Sequence, residues 1–117
     1  MLDEHSDPVH NRTVFTVAGP GATLASALEG LARSAIEVID ITRQSGAHPR
    51  IGAIDVCPVV WPAPDLRLAA VEAALDAAER LAALGLPVFL YGELASAPER
   101  AERAYFRRGG HLELARR

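Results

Sequence analysis

The sequence predicts a small α/β domain in which helices pack on a small mixed sheet. Segments of β-branched and aromatic residues alternate with segments whose apolar residues recur every three or four positions, which indicates alternating strands and helices. The chain has 117 residues, enough for one domain with its own core. Neither internal repeats nor low-complexity tracts interrupt this order. We therefore expect a single domain over residues 1–117.

Six elements are expected after a polar lead-in over residues 1–10. In chain order they are a strand over 12–18, a helix from Thr23 to Gly46, a strand over 51–57, a helix from Asp65 to Gly85, a strand over 88–91 and a helix from Ser96 to Gly109. Residues 13–18 are mostly β-branched or aromatic, which favours the first strand. Gly46 suits the left-handed position that closes a helix, and Pro49 prevents continuation of the first helix.

The middle elements are set by burial and by turn residues. Residues 51–57 are apolar on both faces except for Asp55, a pattern typical of a central strand covered on both sides. Asp65 is a suitable N-cap for the next helix, whose apolar residues follow a single face. Gly85 ends that helix. These features predict a strand followed by an amphipathic helix.

The last strand and helix are the shortest part of the pattern. Residues 88–91 are apolar, and Ser96 with Glu99 has the spacing of a capping box at a helix start. Three strands make a narrow sheet with exposed edges, and exposed edges favour pairing with another chain. A homodimer that extends or covers the sheet is therefore expected.

Composition and charge exclude several classes of protein. The formal net charge is −3, and acidic residues are interleaved with the arginines near the C-terminus, which argues against a nucleic-acid surface. No apolar run approaches the ~20 residues of a membrane span, and the N-terminus does not resemble a signal peptide. Cys57 is the one cysteine, so no disulfide can form within the chain. We expect a cytoplasmic protein that binds neither membrane nor nucleic acid.

Polar residues gather at the ends of the predicted strands, where ligand sites are commonly built. They are Asn11, Arg12, His48, Arg50, Asp55, Tyr91 and Glu93. Among them His48 is the best candidate for an acid–base residue, because a neutral imidazole takes up a proton near physiological pH. The alternative is a solvent-exposed loop histidine without a catalytic role.

Asp55 needs a partner because an unpaired carboxylate is costly to bury in an apolar strand. A salt bridge to Arg12 or Arg50 would satisfy it. It could instead orient His48 through the second ring nitrogen, as carboxylates do for catalytic imidazoles. Both roles are compatible.

Three other features have simpler explanations. His5, Asp7 and His10 could ligate a metal, but their spacing matches no zinc pattern and a solvated lead-in explains them, so no metal site is predicted. Cys57 lies in an apolar segment and is expected to be a small core residue rather than a nucleophile. The glycines of residues 19–21 lack the phosphate-loop signature and suit a tight turn.

Three segments strongly resemble the N-terminal subdomain of glutamate formiminotransferases. They are HNRTVFTVAG (10–19), GAHPRIGAIDVCP (46–58) and LPVFLYGELA (86–95). The resemblance spans nearly the whole chain in the family's order, and the second string is highly specific. It implies a ferredoxin-like α/β sandwich.

The resemblance also implies an activity and a set of site residues. Family members transfer a formimidoyl group from N-formimidoylglutamate to N5 of tetrahydrofolate, the co-substrate. The histidine of the second string is the family's general base and corresponds to His48. Asn11, Arg12 and Tyr91 match positions that line the family's substrate groove, where Arg12 suits a substrate carboxylate or Asp55.

The chain also departs from the family pattern. It begins at what resembles the family's second strand and ends with the first subdomain, so we expect a second copy or a partner chain to complete the cleft. Ala47 stands where the family usually has Glu, and the Val60–Pro62 stretch differs. Two alternatives stay open: a repurposed acid–base enzyme that does not use folate, and a noncatalytic binding or dimerisation module.

Overall fold

A computed structural model of the chain describes residues 1–43, 52–109 and 113–116. Its elements are two strands, β1 (Asp3–Asp7) and β2 (Arg12–Thr16), and three α-helices, α1 (Gly21–Val38), α2 (Arg67–Ala83) and α3 (Arg103–Arg107). Short 3-10 turns at Ile41–Arg43, Pro64–Leu66, Gly92–Leu94 and Pro98–Arg100 join or extend them. The α/β class predicted from the sequence is confirmed.

The two long helices pack against each other through small side chains. Ala25 and Ala32 on α1 and Ala73 and Ala77 on α2 are buried, and we call these four residues the alanine seam. At the start of α1, a Cβ atom placed on Gly21 would lie 3.3 Å from the Cβ atom of Ala73. At this separation a larger side chain on either residue would collide with the facing helix, so only small residues fit at this point.

An ion-pair network at the edge of the seam ties the two helices together. Glu29 on α1 accepts hydrogen bonds from Arg33, one turn further along, and from Arg80 on α2, at 3.0 and 2.9 Å. Arg80 also donates to Asp76 at 3.0 Å. The side chains are partly exposed and solvent screens their charges, so the network contributes little to stability and mainly fixes how the helices align.

The sheet is an antiparallel hairpin of β1 and β2, in which Asp3 pairs with Thr16 and Asp7 with Arg12. Residues 1–10 are mostly exposed, as expected for a solvated lead-in, but no strand was predicted there and Asp3–Asp7 forms one. Acidic and polar residues are depleted in strands, but here backbone pairing with β2 outweighs that preference. Asn11, with φ of +51°, takes the left-handed position that closes the loop.

Two of the predicted strands are absent from the part of the chain that the structure describes. Residues 52–57 and 88–91 adopt neither helix nor strand, so the sheet is a two-stranded antiparallel hairpin rather than a mixed sheet of three. Ile51, the first residue of the second predicted strand, lies outside the described residues. An apolar run specifies burial, whereas a strand also needs a neighbour to share its backbone hydrogen bonds.

The end of the first helix differs from the sequence prediction. The first helix ends at Val38 instead of continuing to Gly46, which lies outside the described residues. Near this end the Asp40 side chain accepts hydrogen bonds from the Thr42 backbone and hydroxyl at 3.1 and 2.6 Å, an alternative to helical bonding. In contrast, α2 spans most of its predicted range, and Gly85 follows it with φ of +86°.

The capping box predicted for the last helix does not form. Pro98 begins a 3-10 turn, and α3 starts only at Arg103. The hydroxyl of Ser96 instead accepts a hydrogen bond from the Arg100 guanidinium at 3.3 Å. A proline lacks the N–H that would continue the helical hydrogen-bonding pattern, and the last helix is correspondingly short.

Much of the apolar surface of the described chain is uncovered. Beyond the alanine seam, only Leu114 is a buried apolar residue among the described positions. Exposed apolar side chains follow the hairpin and the outer faces of the helices, including Val14, Phe15, Leu31 and Leu68. None of the helices in the described ranges is long and apolar enough to cross a membrane.

Candidate functional site

A groove of about 1850 Å³ runs between the hairpin, α1, the segment 52–62 and α3. Three of the predicted site residues, Asn11, Arg12 and Asp55, line it. His48, the predicted base, lies outside the described residues, as does Arg50. Predicted site residues from two separate segments of the chain, the hairpin loop and the segment after residue 51, therefore line the same groove.

The hairpin loop at one end of the groove is held by a single carboxylate. Oδ1 of Asp7 accepts hydrogen bonds from the backbone N–H groups of Val9 and His10 at 3.0 and 3.3 Å, and Oδ2 contacts Nδ1 of His10. The side-chain hydrogen bond with His10 is the main cause that lowers the pKa of Asp7. The predicted solvated lead-in thus contains an ordered Asp–His pair on the groove wall.

This arrangement leaves the guanidinium of Arg12 available to a ligand. Arg12 is the cross-strand neighbour of Asp7, yet the carboxylate of Asp7 is occupied by its own loop. Within the described ranges, no carboxylate lies within 4.0 Å of the Arg12 guanidinium. A basic side chain lining a groove without an intramolecular partner can bind an anionic group.

Asp55 has a different partner from those expected. Its Oδ2 contacts Nη2 of Arg107 on α3, rather than Arg12. Sequence reasoning missed this pair because the two residues are 52 positions apart and no spacing rule connects them. Both side chains are partly covered, at 34% and 24% exposure, so the pair anchors α3 against the segment that follows the predicted base. Whether Asp55 also orients His48 stays a prediction.

Tyr91 stands apart from the described residues that line the groove, but it lies close to two of them. Burial is the largest influence on its phenol and raises the pKa of Tyr91. The positive charge of Arg103 acts in the opposite sense, and Cys57 adds a smaller upward influence. Tyr91, Cys57 and Arg103 are therefore near enough to interact electrostatically.

Burial also raises the pKa of the Cys57 thiol. We expect iodoacetamide at pH 7.5 to alkylate Cys57 at least about tenfold more slowly in the folded protein than in urea, since the thiolate is the reactive form. The measurement is the rate of mass increase in the native and the unfolded chain. Equal rates would contradict a buried, unreactive thiol and reopen a nucleophilic role.

A metal site finds no support in the described residues. No group of three or more histidine, cysteine, aspartate or glutamate side chains in the described ranges could hold a metal ion. His10 and Asp7 instead bond to each other. The charged and titratable side chains in the described lining of the groove are carboxylates, guanidiniums, one imidazole and one thiol.

Comparison with known proteins gives a consistent result. Residues 1–117 match the family described as the formiminotransferase domain, N-terminal subdomain. No solved structure matches the chain.

Curated relatives carry names from the same family. The chain is 44% identical over 111 residues to a glutamate formimidoyltransferase of Streptococcus pyogenes serotype M1, covering 93% of this chain and 37% of the relative. It is 40% identical over 110 residues to a glutamate formimidoyltransferase of Thermoplasma acidophilum, covering 92% and 36%. A formimidoyltransferase-cyclodeaminase of Sus scrofa is 38% identical over 115 residues, covering 97% and 21%. The chain thus spans about a third or a fifth of the length of these relatives.

Proposed function

The chain belongs to the formiminotransferase family, as its N-terminal subdomain, and we propose that it takes part in transferring a formimidoyl group from N-formimidoylglutamate to tetrahydrofolate. The single observation that supports this proposal is the groove, whose described lining includes Asn11, Arg12 and Asp55. An acidic substrate fits a groove of this charge pattern.

We assign the proton transfers to the chain's imidazole chemistry. When N5 of tetrahydrofolate attacks the amidine carbon, a new C–N bond forms and N5 must lose its proton. His48 accepts that proton as general base. The protonated His48 then returns a proton to the glutamate nitrogen as the bond from this nitrogen to the amidine carbon breaks, so glutamate leaves as the amine and His48 is neutral again. Asp55 and Tyr91 are the groups we place beside His48 in this site.

We further propose that a second copy or a partner chain completes the cleft. The exposed apolar side chains of the hairpin and helices support this, because contiguous apolar surface commonly marks an interface. The relatives named above are about three to five times longer than the region matched. The cytoplasm, which keeps a lone cysteine reduced, is the compartment we propose.

The proposal is tested with the purified chain and its two substrates. We expect formimidoyl transfer from N-formimidoylglutamate to tetrahydrofolate, and calorimetric heat when tetrahydrofolate is titrated in. Substrate heat without folate heat would instead support a repurposed acid–base enzyme. A chain that binds neither substrate but self-associates would be a binding or dimerisation module, and the transferase proposal would be wrong.

A further inference from the structure

The short helix α3 contributes two arginines, Arg103 and Arg107, to the lining of the groove. The Asp55–Arg107 pair anchors the helix, and Arg103 lies four positions earlier, on the same helical face. Both arginines line the groove. The contact between Arg107 and Asp55 therefore also limits the positions that the Arg103 guanidinium can occupy.

Among the described residues, Arg103 has no carboxylate partner, unlike Arg107 and Arg67. Arg107 contacts Asp55, and Arg67 pairs with Glu93 at 2.8 Å. Arg100 donates to Ser96 instead. For Arg103, no carboxylate oxygen of the described residues lies within 4.0 Å, even though Glu102 is its neighbour in sequence and lines the same groove.

The side chain of Arg103 lines the groove. A guanidinium there offers a forked set of N–H donors that matches the two oxygens of a carboxylate. Arg103 therefore suits a carboxylate of a ligand in the groove.

The charged side chains that line the groove also support the binding of a carboxylate by Arg103. Two of its acidic side chains are engaged, Asp7 with His10 and Asp55 with Arg107. Arg12 and Arg103, on different elements, are left without a carboxylate among the described residues. A glutamyl substrate carries two carboxylates, which matches two such guanidiniums.

We propose that Arg103 binds one carboxylate of the glutamyl substrate, while Arg12 binds the other. The assignment rests on the proposed function. Arg103 is a specificity-determining residue that favours dicarboxylate donors, and nothing in the sequence pattern singled it out.

Calorimetric titration with N-formimidoylglutamate compares the wild type with Arg103→Gln, which removes the charge but keeps a polar side chain. We expect the affinity to fall by about 10- to 100-fold, as for loss of a charge-assisted hydrogen bond. Arg103→Lys should recover part of it, because a point charge remains without the fork. Arg108→Gln is the matched control, since Arg108 lies over the Tyr105 ring at 6.0 Å and does not line the groove.

Analogues of the ligand separate a direct contact from a structural effect. N-formimidoylglutamine lacks the γ-carboxylate and N-formimidoyl-4-aminobutyrate lacks the α-carboxylate. Against one of the two, Arg103→Gln and the wild type should bind equally, because the missing group is the one that Arg103 holds. Equal affinity of both proteins for N-formimidoylglutamate overturns the assignment, as does an equal loss with both analogues. A wild type that binds no N-formimidoylglutamate overturns the proposed function and this assignment with it.

Discussion

Replacing His48 with alanine is expected to slow formimidoyl transfer by about 10²- to 10⁴-fold, the usual contribution of a general base. The physical reason is that N5 of tetrahydrofolate cannot form the new bond efficiently while it keeps its proton. The measurement is the rate of transfer from N-formimidoylglutamate to tetrahydrofolate at saturating substrates. Binding of N-formimidoylglutamate should change much less than the rate, because the ionic contacts proposed for Arg12 and Arg103 are unaltered.

The matched control for this experiment is His5→Ala. His5 lies on β1, pairs with Val14 across the hairpin, and is not among the described residues lining the groove. We expect its rate to stay within about twofold of the wild type, as is usual for exposed positions away from a site. A His48→Ala protein that keeps its rate while remaining folded would remove His48 as the base.

Enlarging the alanine seam is expected to give the largest loss of stability. Ala32 is 1% exposed, so a leucine there would push α1 away from α2 or force a strained rotamer. We expect Ala32→Leu to lower the free energy of unfolding by about 1–3 kcal/mol, measured by urea denaturation. The closeness of Gly21 to Ala73 at the start of the seam indicates how little room the two helices leave.

The control is a substitution on the same helix that faces away from the seam. A Cβ atom on Gly30 would meet nothing within 4 Å, and Gly30 is exposed. Gly30→Ala should therefore raise the free energy of unfolding by about 0.5–1 kcal/mol through the lower entropy of the unfolded chain. If Ala32→Leu were as stable as the wild type, the packing of α1 on α2 described above would be wrong.

The sequence predicted the elements whose signals are local. The helix α2 carries an amphipathic pattern and a glycine stop at Gly85, and it forms close to the expected bounds. The strand β2 also forms, since its β-branched residues favour extended backbone. Its partner β1 was missed because acidic residues such as Asp3 and Glu4 are poor strand formers in isolation, and only pairing makes them a strand.

Residues of the candidate site that belong to a sequence motif could be predicted. Residues that join the site through tertiary contacts could not. Asn11, Arg12 and Asp55 were identified from position and resemblance, and all three line the groove. Arg107 and Arg103 were not, because their roles arise from contacts between α3 and distant segments. The proline at residue 98, which shortens the last helix, was a visible signal for where α3 begins.

The uncovered apolar side chains have a consequence for how firmly this fold holds together. A partner that binds the folded chain and not the unfolded chain stabilises the folded state by mass action. This stabilisation grows with the logarithm of the partner's concentration. In the proposed assembly, the melting temperature of the domain would therefore rise with the concentration of the second copy or partner chain. Covering the apolar side chains around Phe15 and Leu31 would then couple folding to assembly.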